Sequence, residues 1–367
     1  MASPCIKQHR LILVTPLTSL SKKGSRESLA RLQIECLQAC TVNYIGTHFL
    51  ERSISNFLSN IWRMIRGEID GVSTEQINEI IRKIKITNAN LIYLDGSNLG
   101  RVAKIIKRQF PNLKIITFFH NIEARFFWGA FIHQVGFKSF GVLLANYIAE
   151  RFAVIYSNRC LVLNNRDKDM LKKIYNSGEV VICPFAVPDI RNTDVACSNS
   201  IPSDQYCIFV GSAFYANVSG ISWFVDNVAN YININIFIIG RGFEIYKQQL
   251  ELYENVTVIG EIEDLTSFYD HAAFVIAPIF DGSGMKTKVA EALMHGKYVI
   301  GSKEAFVGYE DNLVDIGVIC NSAEDYIFQI NNFTLTNKNK NDLIKIYESN
   351  YSVNAFRNRL DEVISNI

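Results

Sequence analysis

The sequence predicts an α/β protein built from two consecutive doubly wound domains. Short apolar runs alternate with helix-length segments through the first half, a loose polar stretch follows, and a second alternating series occupies the rest. The chain has 367 residues, more than one core accommodates efficiently, so two cores are the natural expectation.

The first series runs Leu11–Val14 then Ser25–Ala39, Leu91–Leu94 then Leu99–Gln109, and Lys114–Phe119 then a long apolar-rich stretch. It continues with Cys160–Leu163, Asp167–Tyr175 and Val180–Cys183. Strands separated by helix-length segments imply parallel pairing through crossover helices. After Pro184 the composition turns polar, and Pro188 to Asp204, rich in Asn, Ser and Asp, reads as an interdomain linker. The second series places strands at Cys207–Val210, Ile234–Ile239, Val256–Ile259, Phe274–Ala277 and Tyr298–Gly301. Lys340 to Ile367 is again helical in pattern. The expected domains are 1–187 and 188–349, with a helix over about 350–367 crossing back onto the first. In open sheets of this kind ligands sit at the carboxyl ends of the strands.

A hydrophobic fraction of 49% and a charged fraction of 20% fit a folded chain and exclude disordered or collagen-like classes. The formal net charge of +1 supplies no global field, so nucleic acid is not an expected partner and any bound anion needs a local cluster. The eight cysteines are scattered without metal-ligand spacing and read as buried, reduced thiols. Met1 to Arg10 lacks the pattern of a secretory signal, so the expected compartment is the cytoplasm. The nearest approach to a membrane span, Phe137 to Tyr156, is interrupted by Lys138, Glu150 and Arg151.

The chemistry concentrates after the strand Phe274–Ala277, in Gly282-Ser283-Gly284-Met285-Lys286-Thr287-Lys288 and the helix expected from about Met285 to Gly296. Gly282 and Gly284 permit a tight turn that aims amide N–H groups at a helix N-terminus, where the dipole favours an anion. Lys286 and Lys288 add full positive charge where the dipole disfavours it, a cost that a bound anion relieves. At helical spacing Lys288 and Glu291 share a face with Gly284. Glu291 then stands one to two turns behind the phosphates, in reach of ribose hydroxyls. Read alone, the segment is equally a glycine turn with a surface Lys/Glu pair. It is not a Walker loop, because Met285 precedes Lys286-Thr287 where that loop has Gly.

The order of parts, Pro278, Asp281-Gly282-Ser283-Gly284, Lys286, Lys288, Glu291-Ala292-Leu293, Gly296 and Val299-Ile300, resembles the donor-binding region of GT-B glycosyltransferases, in particular the retaining family 4 type. Cys207-Ile208-Phe209-Val210-Gly211, Ile238-Ile239-Gly240-Arg241-Gly242 and Val258-Ile259-Gly260-Glu261-Ile262 resemble further segments of the same domain, the last bordering the nucleotide base. His120-Asn121-Ile122-Glu123 resembles the histidine motif of the N-terminal domain.

This resemblance implies two Rossmann-like doubly wound domains facing each other across a cleft, the first binding the acceptor and the second a nucleotide-sugar donor. It implies Glu291 on the ribose, Lys286 or Lys288 on the diphosphate, and His120 approaching the transferred sugar. Gly211, Arg241, Glu261, Ile262, Gly282, Ser283, Gly284 and Met285 complete the implied donor contacts. It also implies retention, a glycan or lipid-linked acceptor, and a role in surface polysaccharide biosynthesis. Two departures stand out. Ser283 occupies the place of a sugar-contacting Glu, and Ser212 and Asn217 follow the first strand of the second domain where Arg and Lys are common.

No cofactor or metal is expected, since helix-terminal amides and lysines suffice for a leaving diphosphate. Asp167-Lys168-Asp169 has acidic-pair spacing but opens a helix, and capping is its expected role. Glu123 reads as a helix cap or a base toward an acceptor hydroxyl, with capping favoured. The aromatic stretch with Phe126, Phe127, Trp128, Phe131, Phe137, Phe140, Leu143 and Leu144 reads first as core. With Lys22, Lys23, Arg26, Arg63 and Arg66 it also suits peripheral membrane contact. A non-catalytic glycan-binding or partner subunit and a nucleotide-sugar epimerase are the competing readings.

Overall fold

A computed structural model of the chain describes residues 9–17, 25–50, 66–133, 135–191, 205–282, 284–334 and 339–367. Contacts divide it into two units, Met1–Phe185 with Phe356–Ile367, and Ala186–Ala355.

The first unit contains β1 (Arg10–Thr15), α1 (Ser25–Ala39), β2 (Asn43–Phe49), α2 (Thr74–Thr87), β3 (Leu91–Asp95), α3 (Gly100–Gln109) and β4 (Lys114–Phe119). It continues with α4 (Glu123–His133), α5 (Phe137–Tyr156), β5 (Arg159–Val162), α6 (Asn165–Tyr175) and β6 (Val180–Ile182). Its sheet has six strands in the order β2-β1-β3-β4-β5-β6, parallel at every pairing. All five residues of β3 are buried, as a strand covered by helices on both faces must be. Ile80, Ile92, Val102, Ile106 and Ile115 form the core between this sheet and the neighbouring helices α2 and α3.

The second unit contains β7 (Tyr206–Val210), α7 (Tyr215–Asn227), β8 (Asn235–Ile239), α8 (Lys247–Leu250), β9 (Val256–Gly260), α9 (Thr266–His271) and β10 (Phe274–Ala277). After these come α10 (Thr287–Met294), β11 (Val299–Gly301), α11 (Leu313–Ile316), β12 (Gly317–Ile319), α12 (Ala323–Asn331), α13 (Lys340–Asn350) and α14 (Val353–Ser365). Its six strands are ordered β12-β11-β10-β7-β8-β9, again parallel. Phe209, Phe224, Ile238, Phe274 and Tyr326 anchor its core.

Most of α14 belongs to the first unit, where Asp361 accepts hydrogen bonds from the Thr41 amide and hydroxyl at 2.8 and 2.6 Å. The six cysteines described are buried and none is in a disulfide. Burial pushes the thiols up, Cys36 to about 11 and Cys40 to about 12, so they stay protonated and unreactive. Asn164 caps α6 and exchanges hydrogen bonds with Asp167, whose carboxylate therefore serves the helix start.

The aromatic stretch is not all core. Leu143 is buried, but Phe126, Trp128, Ile132, Val135, Phe140 and Leu144 are exposed on α4, α5 and the turn between them. Lys22, Lys23 and Arg63 lie outside the described residues, and so does most of the polar stretch after Pro188. Among the described residues no helix is long and apolar enough to cross a membrane.

Candidate active site

In the second unit the chain leaves β10 through Pro278 and turns at Gly282 and Gly284, whose φ angles of 124° and 67° are accessible to glycine. Asp281 fastens the turn, accepting from the Gly282 amide at 2.6 Å and from the Tyr215 hydroxyl at 3.0 Å. Ser283 lies outside the described residues. Helix α10 begins at Thr287, two residues later than expected, with Lys286 at the N-cap and making no side-chain cap hydrogen bond. Lys286 cannot cap because its side chain has no acceptor. Its Nζ instead donates to Glu304 Oε1 at 3.0 Å and the Gly284 carbonyl at 3.1 Å. Met285 is buried, and a Cβ on Gly308 would meet its side chain, so its side chain is a packing group.

Lys288 corrects the expectation of two fully charged lysines. It is only 7% exposed. Its Nζ donates to Asn217 Oδ1 at 2.9 Å and stands 4.2 Å from the centroid of the Phe209 ring. Desolvation lowers its pKa to about 7, with Lys286 adding to the shift and Glu291 opposing it. Near neutrality it is therefore charged only part of the time, and an incoming anion would hold it charged. Asn217 is oriented by its own donation to the Ser212 carbonyl at 2.8 Å. A Cβ on Gly211 would lie 2.9 Å from Asn217 Nδ2 and 3.1 Å from Lys288 Nζ, so a side chain there would push on both groups. The ammonium thus reaches the end of β7 from α10, beside the strand end where Arg or Lys was missed in the sequence.

Glu291, one turn on, is partly buried and accepts from the Tyr269 hydroxyl at 3.3 Å. Desolvation raises its pKa, opposed by hydrogen bonds from Thr287 and Tyr269 and by Lys288. The remaining predicted residues cluster on the adjoining strand ends. Glu244 accepts from the amides of Gly242 and Glu261 at 2.8 and 2.7 Å, which ties the Arg241 turn to the Glu261-Ile262 segment. Arg241 is exposed, and its carbonyl accepts from the Ala213 amide at 2.9 Å.

In the first unit His120 follows β4. Its Nε2 lies 2.6 Å from Oδ1 of buried Asp95, whose Oδ2 accepts from the Thr15 hydroxyl at 2.8 Å. Glu123 is not the cap of the next helix. It is the first residue of α4, and buried Glu150 supplies the carboxylate, accepting from the Glu123 and Ala124 amides at 2.9 and 3.1 Å and from the Tyr175 hydroxyl at 2.7 Å. Burial raises the pKa of Glu150 against these hydrogen bonds.

Sequence reasoning missed Asp95, Glu150, Tyr269 and Glu304. Asp95 carried a signal, a carboxylate closing an apolar strand. Glu150 carried a weaker one, an acid within a strongly apolar helix. Among the described residues no group of three or more His, Cys, Asp or Glu is arranged to hold a metal ion.

Residues 204–332 match the family of glycosyl transferases group 1. A search of curated proteins returns no match. Similar solved structures include a sucrose-phosphate synthase from Thermosynechococcus elongatus, at 13% identity and TM-score 0.71, covering 98% of this chain and 99% of that one. The Anabaena HepE protein in complex with UDP and glucose is 12% identical with TM-score 0.64, over 98% of this chain and 100% of its own. The lipopolysaccharide outer core galactosyltransferase WaaB is 12% identical with TM-score 0.66, over 98% and 100%. At such identities these likenesses establish the fold, and the family match lies on the unit that holds Lys286, Lys288 and Glu291. The chain has the GT-B fold, and its second unit matches the model of the group 1 glycosyltransferases.

Proposed function

We propose that this protein transfers a sugar, with retention, from a nucleotide diphosphate donor to a glycan or lipid-linked saccharide during surface polysaccharide synthesis. The observation that carries the reading is the uncapped N-terminus of α10 beside a buried ammonium, Lys288, with Glu291 one turn behind it. In this reading the α10 amides, Lys286 and Lys288 receive the diphosphate, and stabilise the charge that grows on its oxygen as the glycosidic bond breaks. Glu291 accepts from the ribose hydroxyls. Gly211, Arg241, Glu261, Ile262 and the Gly282–Met285 turn border the donor, and His120 serves the transferred sugar. Support for the donor class comes from the UDP and glucose named with the HepE structure, and for the acceptor class from the description of WaaB.

The same proposal places the protein at the inner face of a cell membrane. Phe126, Trp128, Ile132 and Phe140 are exposed on α4 and α5, and every exposed charge described between residues 123 and 156 is a cation: Arg125, Lys138 and Arg151. Aromatic side chains flanked by cations suit an anionic lipid surface. The buried thiols, none of them in a disulfide, fit a reducing compartment.

A panel of UDP-, GDP-, ADP- and dTDP-sugars, read by mass spectrometry with saccharide acceptors, tests the activity. Transfer from one donor is expected, and NMR of the product's anomeric centre tests retention. Thermal stabilisation by none of the nucleotides would contradict the donor site. Co-sedimentation with anionic vesicles at low salt tests the membrane face, and its absence removes that part of the proposal.

A further inference from the structure

We propose that Asp95 is a positioning residue that fixes the tautomer of His120, placing the ring proton on Nε2 and presenting Nδ1 as a hydrogen-bond acceptor for a sugar hydroxyl. This rests on the functional reading in which His120 serves the transferred sugar, and adds the direction of the hydrogen bond.

The geometry determines the tautomer. Asp95 is fully buried at the end of β3, and both of its oxygens are engaged as acceptors, Oδ2 from the Thr15 hydroxyl at 2.8 Å and Oδ1 from the ring at 2.6 Å. A carboxylate that accepts leaves Nε2 to donate, so in the neutral imidazole the lone pair falls to Nδ1. No partner for Nδ1 occurs among the described residues. The imidazole is 15% exposed and packs edge-on to Phe118, with ring centroids 5.0 Å apart, so it has little freedom to turn.

The loops bearing the pair share one anchor. Glu150 accepts from the first two amides of α4, directly after His120-Asn121-Ile122, and from the Ser97 hydroxyl two residues after Asp95. Asp95 and His120 are thus held in register by a buried carboxylate as well as by their own hydrogen bond, the arrangement in which an orienting acid sets which nitrogen of a histidine faces the substrate.

The test combines imidazole 15N NMR with kinetics on the full chain. The wild-type His120 signals, assigned by their loss in His120→Asn, are expected to show the Nε2–H tautomer. In Asp95→Asn the Thr15 hydroxyl keeps the amide oxygen, the amide NH2 turns toward the ring, and the signals are expected to move to Nδ1–H. With the donor selected by the panel, kcat is expected to fall about 100-fold or more while the donor KM changes little. Thr15→Val, which removes one hydrogen bond to Asp95, should give a smaller fall in kcat and a mixed tautomer. A wild-type Nδ1–H signal overturns the proposal, and so does an Asp95→Asn protein with unchanged tautomer and kcat. If Asp95→Asn does not fold, the wild-type signal and Thr15→Val decide. Full turnover in His120→Asn would defeat the functional reading of His120, while the NMR result would still stand for or against Asp95.

Discussion

The turns that follow β4 and β10 are built alike and end in opposite electrostatics. Each leaves the fourth strand of its unit at the carboxyl edge of a parallel sheet and enters a helix. At the first, the α4 amides are already satisfied by buried Glu150, an acid supplied by the protein itself. At the second, the N-cap residue of α10 makes no side-chain cap hydrogen bond and is itself a cation, Lys286, held by Glu304, with the buried Lys288 two residues on. A helix terminus filled by a carboxylate has no use for a phosphate, whereas one that pairs amides with a buried lysine carries a cost that an anion would relieve. The likeness of the turns makes both strand edges eligible for ligands, and their side chains make the second the better suited to an anion.

The largest test of this contrast is Glu150→Ala. It leaves the α4 amides and the Tyr175 hydroxyl without their acceptor, and a loss of about 3–5 kcal/mol of stability is expected from several buried donors left unsatisfied together, at about 1–3 kcal/mol each. Chemical denaturation reads it, and nucleotide affinity in the second unit should be unchanged while the protein stays folded. Next is Lys288→Ala, expected to weaken donor binding about 100-fold in calorimetry. Stability should be nearly unchanged or higher, because a desolvated ammonium is removed. Parity of wild type and variant in donor binding would mean that the second turn is no more an anion site than the first.

The two turns were not equally legible in the sequence. The β10 turn announced itself because its chemistry is local: two glycines, two lysines and a glutamate lie within ten residues of one another. Even so, the lowered pKa of Lys288 was invisible, because it arises from desolvation in a folded surrounding that residues remote in sequence, such as Phe209, help to build. The β4 turn showed only His120 and Glu123. Its organising residues, Asp95 and Glu150, come from another strand and another helix, and no spacing rule connects them. The same logic holds for the fold. Buried strands such as Lys114–Phe119 and Phe274–Ala277 were read to the residue. The edge strand β2, half-exposed and with a register shift against β1 next to the residue facing Gly46, lacked the apolar run that marked the others. Helix α10 starts two residues late because the left-handed Gly284 and the extended Lys286 hold the turn open.

A pH series sharpens the comparison through Lys288 alone. Its folded-state pKa is lowered from 10.5 to about 7, so the folded chain sheds this proton earlier than the unfolded chain as pH rises. The contribution of Lys288 to stability therefore increases with pH between about 7 and 10.5, while the unfolded chain still holds the proton. Donor binding should change in the other direction. A bound diphosphate raises the pKa of Lys288, and affinity should fall by up to about tenfold per pH unit above 7 until the bound-state pKa is passed. The nucleotide sugar is the right probe, because its diphosphate does not titrate in this range. In Lys288→Met both trends should vanish, and a slope that persists there would assign the proton to another group.

The smallest expected effect concerns Glu304, which makes the second turn resemble the first by placing a carboxylate against Lys286. If that carboxylate stands in for the diphosphate, the donor must displace it, and Glu304→Gln should tighten donor binding by about 2- to 5-fold, the scale of a partly exposed ion pair. The gain should shrink with added salt and be absent in a Lys286→Ala background, where there is no ammonium to release. If Glu304 instead aims Lys286 at the phosphates, the same substitution weakens binding, and the salt dependence reverses with it. The sign of this one change tells whether the donor turn is held ready by its acid or must first be freed from it.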